Sequence, residues 1–169
     1  TAEALRQGQL KSGGWDNRIE FDTKERAKYA YRTEIESTSQ DKLRNTTTFD
    51  DNKSQSAIRF LMEFDLEMDY ADQPVHEAVL YALNSVLKSQ YPNGAWPQRF
   101  SKFPDPNLYP VMKASIPEQW PKEYPGTKYS DFYTLNDNTI CDLIDLLIDA
   151  ADIYQRSDYR RAACRGGDF

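Results

Sequence analysis

Gln90-Tyr91-Pro92-Asn93-Gly94-Ala95-Trp96-Pro97-Gln98 ends an apolar helical stretch, breaks it with a glycine and plants an indole just beyond. The spacing recurs near the N-terminus, in Gln9-Leu10-Lys11-Ser12-Gly13-Gly14-Trp15. In both places a Gln is followed by three residues, a Gly, one residue and a Trp. One such loop is a turn. Two on matching helices indicate a repeat.

The chain between and after these loops is patterned for helices. Ala57, Ile58, Leu61, Met62 and Phe64 or Leu66 predict a helix over about 54–68. A polar turn follows at 69–73, and Pro74 suits a first helical position. Val75, Val79, Leu80, Leu83, Val86 and Leu87 carry the next helix to about Gln90. Asn136-Asp137-Asn138 caps the most apolar one, built on Ile140, Leu143, Ile144, Leu146, Leu147, Ile148, Ala151, Ile153 and Tyr154. Cys141 lies inside that pattern and is expected to be buried. Asp142, Asp145, Asp149 and Asp152 fall opposite and read as a solvated face, not a metal site. A final helix starts after Ser157, its expected cap. Residues 1–11 predict a helix tail stopped by Gly13-Gly14. Residues 15–45 read as a charged surface excursion. Residues 99–133 read as a proline-stiffened connection with a short helix near Glu118.

Tight turns therefore alternate with long loops. The expected fold is all-α: antiparallel helical hairpins with the tight turns at one end and the long loops forming one working face.

Composition narrows the partners. The 169 residues carry 39% hydrophobic and 13% aromatic side chains, 11 of them Tyr, and a net charge of -6. That charge leaves no basic field for nucleic acid. No stretch is long and apolar enough to span a membrane. Two cysteines make no disulfide framework. The aromatic excess suits core packing and sugar stacking alike. An acidic substrate would need an added divalent cation. Thr1 to Arg6 starts in mid-helix without a cap, and Tyr159 to Phe169 reads as a helix starting up. Residues 1–169 are therefore expected to be one incomplete domain of a longer protein.

Three clusters fall on the long-loop face. The first is Trp15 with Asp16, Asn17, Arg18 and Glu20. The second is Thr48-Phe49-Asp50-Asp51-Asn52. The third is Tyr133-Thr134-Leu135-Asn136-Asp137-Asn138. Capping explains an Asp at a helix start. Two such caps converging on one face also suit calcium, which takes hard oxygen ligands. Both readings stay open. The sole histidine, His76, lies in the tight-turn region, so Ser–His and Cys–His schemes lack a base. Zinc spacing and a phosphate-binding glycine loop are absent.

Lys11-Ser12-Gly13-Gly14-Trp15-Asp16, Thr48-Phe49-Asp50-Asp51, Ile58-Arg59-Phe60-Leu61, the Gln90–Gln98 stretch and Leu135-Asn136-Asp137 together resemble the polysaccharide lyase family 10 pectate lyases. The resemblance implies a partial (α/α)3 toroid. It implies calcium-dependent β-elimination of polygalacturonate (pectin), giving 4,5-unsaturated oligogalacturonides, and a secreted or periplasmic parent protein. It places Asp50 at the calcium and substrate centre and Asp137 as a second calcium ligand. Trp15, Asp51, Tyr91, Asn93, Trp96 and Gln98 become expected substrate contacts. The family's base is an arginine in the second half of its domain, beyond residue 169. Neither Arg59, Arg99 nor Arg165 takes that role, so the chain alone is expected to be inactive. Departures are Asp51 for the usual Asn, Asn52-Lys53-Ser54 and Asn138 for small residues, and Ala95 for Gly. Lys53 can compete with calcium or contact a uronate. The Gln-to-Trp repeat also resembles the toroid repeats of triterpene cyclases, where it braces helices; no Asp-x-Asp-Asp acid motif is present to support terpene cyclisation. A non-catalytic carbohydrate-binding or scaffold toroid is the alternative.

Overall fold

Residues 1–34, 42–111, 135 and 137–169 are described in the structure, a computed structural model. The helix expected near Glu118 and residues 133, 134 and 136 of the third cluster lie outside them. The elements are α1 (Ala2–Gln7), α2 (Thr23–Arg26), β1 (Thr47–Thr48), a 3-10 turn (Asp50–Asn52), α3 (Lys53–Glu67), α4 (Gln73–Ser89), β2 (Arg99–Phe100), α5 (Thr139–Ile153) and α6 (Ser157–Asp168). Among the described residues no helix is long and apolar enough to cross a membrane.

The fold is all-α and toroid-like. α3 packs on α4 and α5 on α6 as hairpins, and α3 meets α5 across them. Their buried faces follow the expected period. Ala57, Ile58, Leu61 and Met62 meet Val75, Val79, Leu83 and Val86, and Leu143, Leu146 and Leu147 close the core. The two ends also separate as expected. At one end the tight turns touch, with Tyr70 donating to Ile153 O at 3.2 Å and Tyr154 to Asp65 Oδ2 at 2.8 Å. At the other, the long loops join in a two-stranded antiparallel ladder, Thr47 opposite Phe100 and Thr48 opposite Arg99.

Several boundaries differ for local reasons. α1 ends at Gly8, because the chain from Gln9 to Lys11 pairs with residues 30–32: Arg32 N donates to Gln9 O and Lys11 N to Ala30 O. The 15–45 excursion is not wholly surface. Tyr29 and Tyr31 stack with centroids 5.3 Å apart over Leu10, and Arg26 and Arg44 cover the rings. Pro74 is the second residue of α4, after Asp72 caps Val75 N at 3.2 Å. Ser157 is the first residue of α6 and Arg156 its cap. Leu66 is exposed, while Asp65 is buried to receive Tyr154 and His76. Cys141 is exposed, since one step past Ile140 turns about 100° around the helix onto the Asp142 side. The acidic series is a surface row as expected, with Asp149 paired to Arg59 and Asp152 to Arg160.

The repeat is a pair of matching braces. Gln9 Nε2 donates to Gly13 O at 3.0 Å and Ala78 O at 2.8 Å. Gln90 Nε2 donates to Gly94 O at 2.8 Å and Ala162 O at 2.9 Å. Trp15 Nε1 donates to Leu5 O and Trp96 Nε1 to Val86 O, each at 2.9 Å and each ten residues back. Gly94 has φ +99°, and a Cβ there would lie 2.0 Å from Arg165 O, so the loop can reach α6 only as glycine. Each brace fastens a helix end to the next outer helix, and the indole closes over its own helix.

Candidate active site

The ladder between the long loops fixes the start of α3. Ser12 and Thr47 share a hydroxyl hydrogen bond of 2.8 Å, and Gly14 N donates to Thr47 Oγ1. Trp15 O receives Thr48 N, and Phe49 N donates to Gln98 O. The chain then turns sharply. Asp51 and Asn52 have φ of 52° and 56°, left-handed values uncommon outside glycine. Gln55 Nε2 holds Phe49 O at 2.8 Å from the first turn of α3.

This turn does not cap α3. Asn52, the N-cap, makes no side-chain cap bond, and Asn138 makes none at α5. Asp50 instead faces the other loop. Gln98 Nε2 donates to its Oδ1 at 2.7 Å and Arg99 Nη2 to its Oδ2 at 2.8 Å. The Arg99 hydrogen bond holds the Asp50 carboxyl below the usual carboxylate range; partial burial opposes this and the Gln98 bond assists. Lys53 Nζ reaches Asp51 Oδ2 at 2.6 Å.

Asp137 precedes α5 with φ 50°, another left-handed turn. α5 packs beside the 3-10 turn that carries Asp50. Asp50, Asp51 and Asp137 can thus place one oxygen each within 4.8 Å of one another. Among the described residues this is the one group of three acidic, His or Cys side chains so gathered. Two oxygens bound to one calcium at about 2.3–2.6 Å span at most roughly 4.6–5.2 Å. The set therefore fits a single hard cation by spacing, and Asp51 and Asp137 are exposed. In addition, buried Thr139 Oγ1 and Gln55 Oε1, in the first turns of α5 and α3, have no hydrogen-bond partner among the described residues.

The structure thus brings Asp50, Asp51, Asp137 and Gln98 together. It does not offer the rings of Trp15 or Trp96 as substrate contacts. Trp96 is 0% exposed and Trp15 3%, so neither ring has a face for a sugar. Asn93 Oδ1 accepts from Ala95 N within its own turn. Tyr91 is buried with its ring edge-on to Tyr109. Arg99 was missed as a partner of Asp50, because nothing in Pro97-Gln98-Arg99-Phe100 announces pairing with a segment about fifty residues away.

A family model described as pectic acid lyase matches residues 9–162. The chain belongs to the pectic acid lyase family. The matched span includes both braces and all three carboxylates. Two solved structures share the fold. One is a family 10 polysaccharide lyase from Cellvibrio cellulosa, with TM-score 0.60 and 21% identity over 99% of this chain and 43% of that one. The other is an aspartate-to-alanine mutant of the family 10 polysaccharide lyase from the same organism, in complex with trigalacturonic acid. It has the same TM-score and identity, over 99% of this chain and 44% of that one. This member of the pectic acid lyase family spans less than half the length of either. No curated protein matches it.

Proposed function

We propose that this chain supplies the cation-holding side of a pectate lyase acting on polygalacturonate by β-elimination. The convergence of Asp50, Asp51 and Asp137 at the starts of two neighbouring helices carries the reading. These three carboxylates would hold calcium. Gln98 and Arg99 set the plane of Asp50 from both sides, so its oxygens are oriented before any ligand arrives. Lys53 holds Asp51 through an exposed pair, which a stronger cation can displace at little cost. Calcium, when bound, would draw charge from a galacturonate carboxylate and acidify the proton on C5. An acidic protein can meet an acidic polymer in this way.

No arginine here is proposed as the base. Arg59 is tied to Asp149 and to Asp142 O, Arg165 to Gln90, and Arg99 to Asp50. The chain alone should therefore bind and not cleave. Incubated with polygalacturonate and calcium, it should release no unsaturated uronide by ultraviolet absorbance. It should be retarded in a polygalacturonate-containing gel when calcium is present, and Asp50→Ala and Asp137→Ala should abolish the retardation. Calcium-independent retardation, unchanged in both variants, would leave a scaffold or simple carbohydrate binder.

A further inference from the structure

Beyond β2 the chain folds back over residues 101–109 and leaves a cleft of about 320 Å³. Small-molecule sites span roughly 300–1,000 Å³. Arg99, Phe100, Lys102, Phe103 and Tyr109 line it, with buried Tyr91 behind. Its rings run from the core to solvent. Phe49 and Phe100 are buried with centroids 5.3 Å apart, and Phe103 continues the row at 5.8 Å and is 43% exposed.

Two lysines stand beside the cleft, in a chain of net charge -6. Lys88 Nζ stands 5.7 Å from the Phe103 centroid, and exposed Lys102 lies beside it. Asp105 also lines the cleft and brings a carboxylate to it, its Oδ1 accepting from Asn107 N and Nδ2 within its own turn. Arg99 connects the cleft to the carboxylate cluster: Nη2 donates to Asp50, while its buried Nε has no hydrogen-bond partner among the described residues.

The geometry points to a uronate subsite in this cleft. Phe103 offers a ring to one pyranose face, and Lys102 an ammonium to the sugar carboxylate. Arg99 ties the subsite to Asp50. The inference rests on the polygalacturonate reading and adds where a neighbouring sugar acid sits. A neutral hexose matches the rings but not the cations, and an inorganic anion matches the cations but not the rings.

Calorimetric titration of the chain with trigalacturonate and with galactotriose, in calcium, tests this. Lys102→Ala and Phe103→Ala should each weaken trigalacturonate about fivefold. Lys102→Arg should restore most of the loss, and galactotriose should bind no variant tightly. Both substituted side chains are exposed, so melting temperatures should hold. Equal trigalacturonate affinity in wild type and both variants overturns the subsite and leaves the calcium reading standing. If Lys102→Ala weakens binding while Asp50→Ala and chelator do not, the subsite stands and the calcium reading falls. No binding by the wild-type chain overturns both.

Discussion

Gln98 Nε2 donates to Asp50 Oδ1 at 2.7 Å, joining two long loops 48 residues apart in sequence. With Arg99 on the other oxygen, Asp50 is held from both sides. Gln98→Ala should free the carboxylate to rotate and weaken calcium several-fold. Folding stability should fall by only about 1 kcal/mol. Calcium titration beside a thermal melt separates the two effects. An unchanged calcium affinity would remove Gln98 from the site.

Trp96 acts as a brace rather than a sugar platform. Removing the fully buried indole in Trp96→Ala should cost about 3–5 kcal/mol. Trp96→Phe keeps a ring but loses the indole's hydrogen bond to Val86 O, which still accepts from Ser89 Oγ at 3.0 Å, and should cost less. Urea denaturation reads both. A Trp96→Phe chain of wild-type stability with impaired oligogalacturonate binding would restore the platform role.

The helices were legible because burial imposes a period on sequence. Val75, Val79, Leu83 and Val86 line one face whether or not their partners are known. The braces were half legible: the Gln–Gly–Trp spacing marks them, but only burial tells a brace from a platform. The site was legible as carboxylates at helix starts, not as a constellation. Asp50 and Asp137 stand out in the sequence by motif; for Asp50 the expected capping gives way to long-range partners, Gln98 and Arg99. Such partners leave no periodic trace, so Arg99 and Asp65 went unseen.

Asp65 is buried at the tight-turn end, where it accepts from Tyr154 and meets His76 Nδ1 at 2.9 Å. Asp65→Ala would strip the Tyr154 hydroxyl of its acceptor and remove one tie between α3 and the end of α5, leaving the Arg59–Asp149 pair. A loss of about 3 kcal/mol is expected by chemical denaturation. Calcium affinity, set at the other end of the helices, should not change; a matching loss there would mean the two ends are coupled.

Burial pushes the Tyr159 hydroxyl up to about 12, with the charge of Arg156 pulling the other way. Tyr154 is pushed up further, first by burial and then by its bond to Asp65. An unfolded tyrosine loses its proton near about pH 10. The unfolded chain therefore deprotonates first. Stability from both groups is complete below about pH 10 and declines as pH rises through about 12 and beyond. Tyr154→Phe should lessen that alkaline decline in melting temperature. A slope identical to wild type would show that Tyr154 is not protected from ionisation.

Asp50, Asp51 and Asp137 are proposed to share one cation with a uronate. Calorimetric titration of calcium into the chain, with trigalacturonate present, tests it most directly. Saturable binding of one calcium per chain is expected, lost in Asp137→Ala and in Asp50→Ala with both variants still folded by circular dichroism. Calcium binding that persists undiminished in both variants would contradict it.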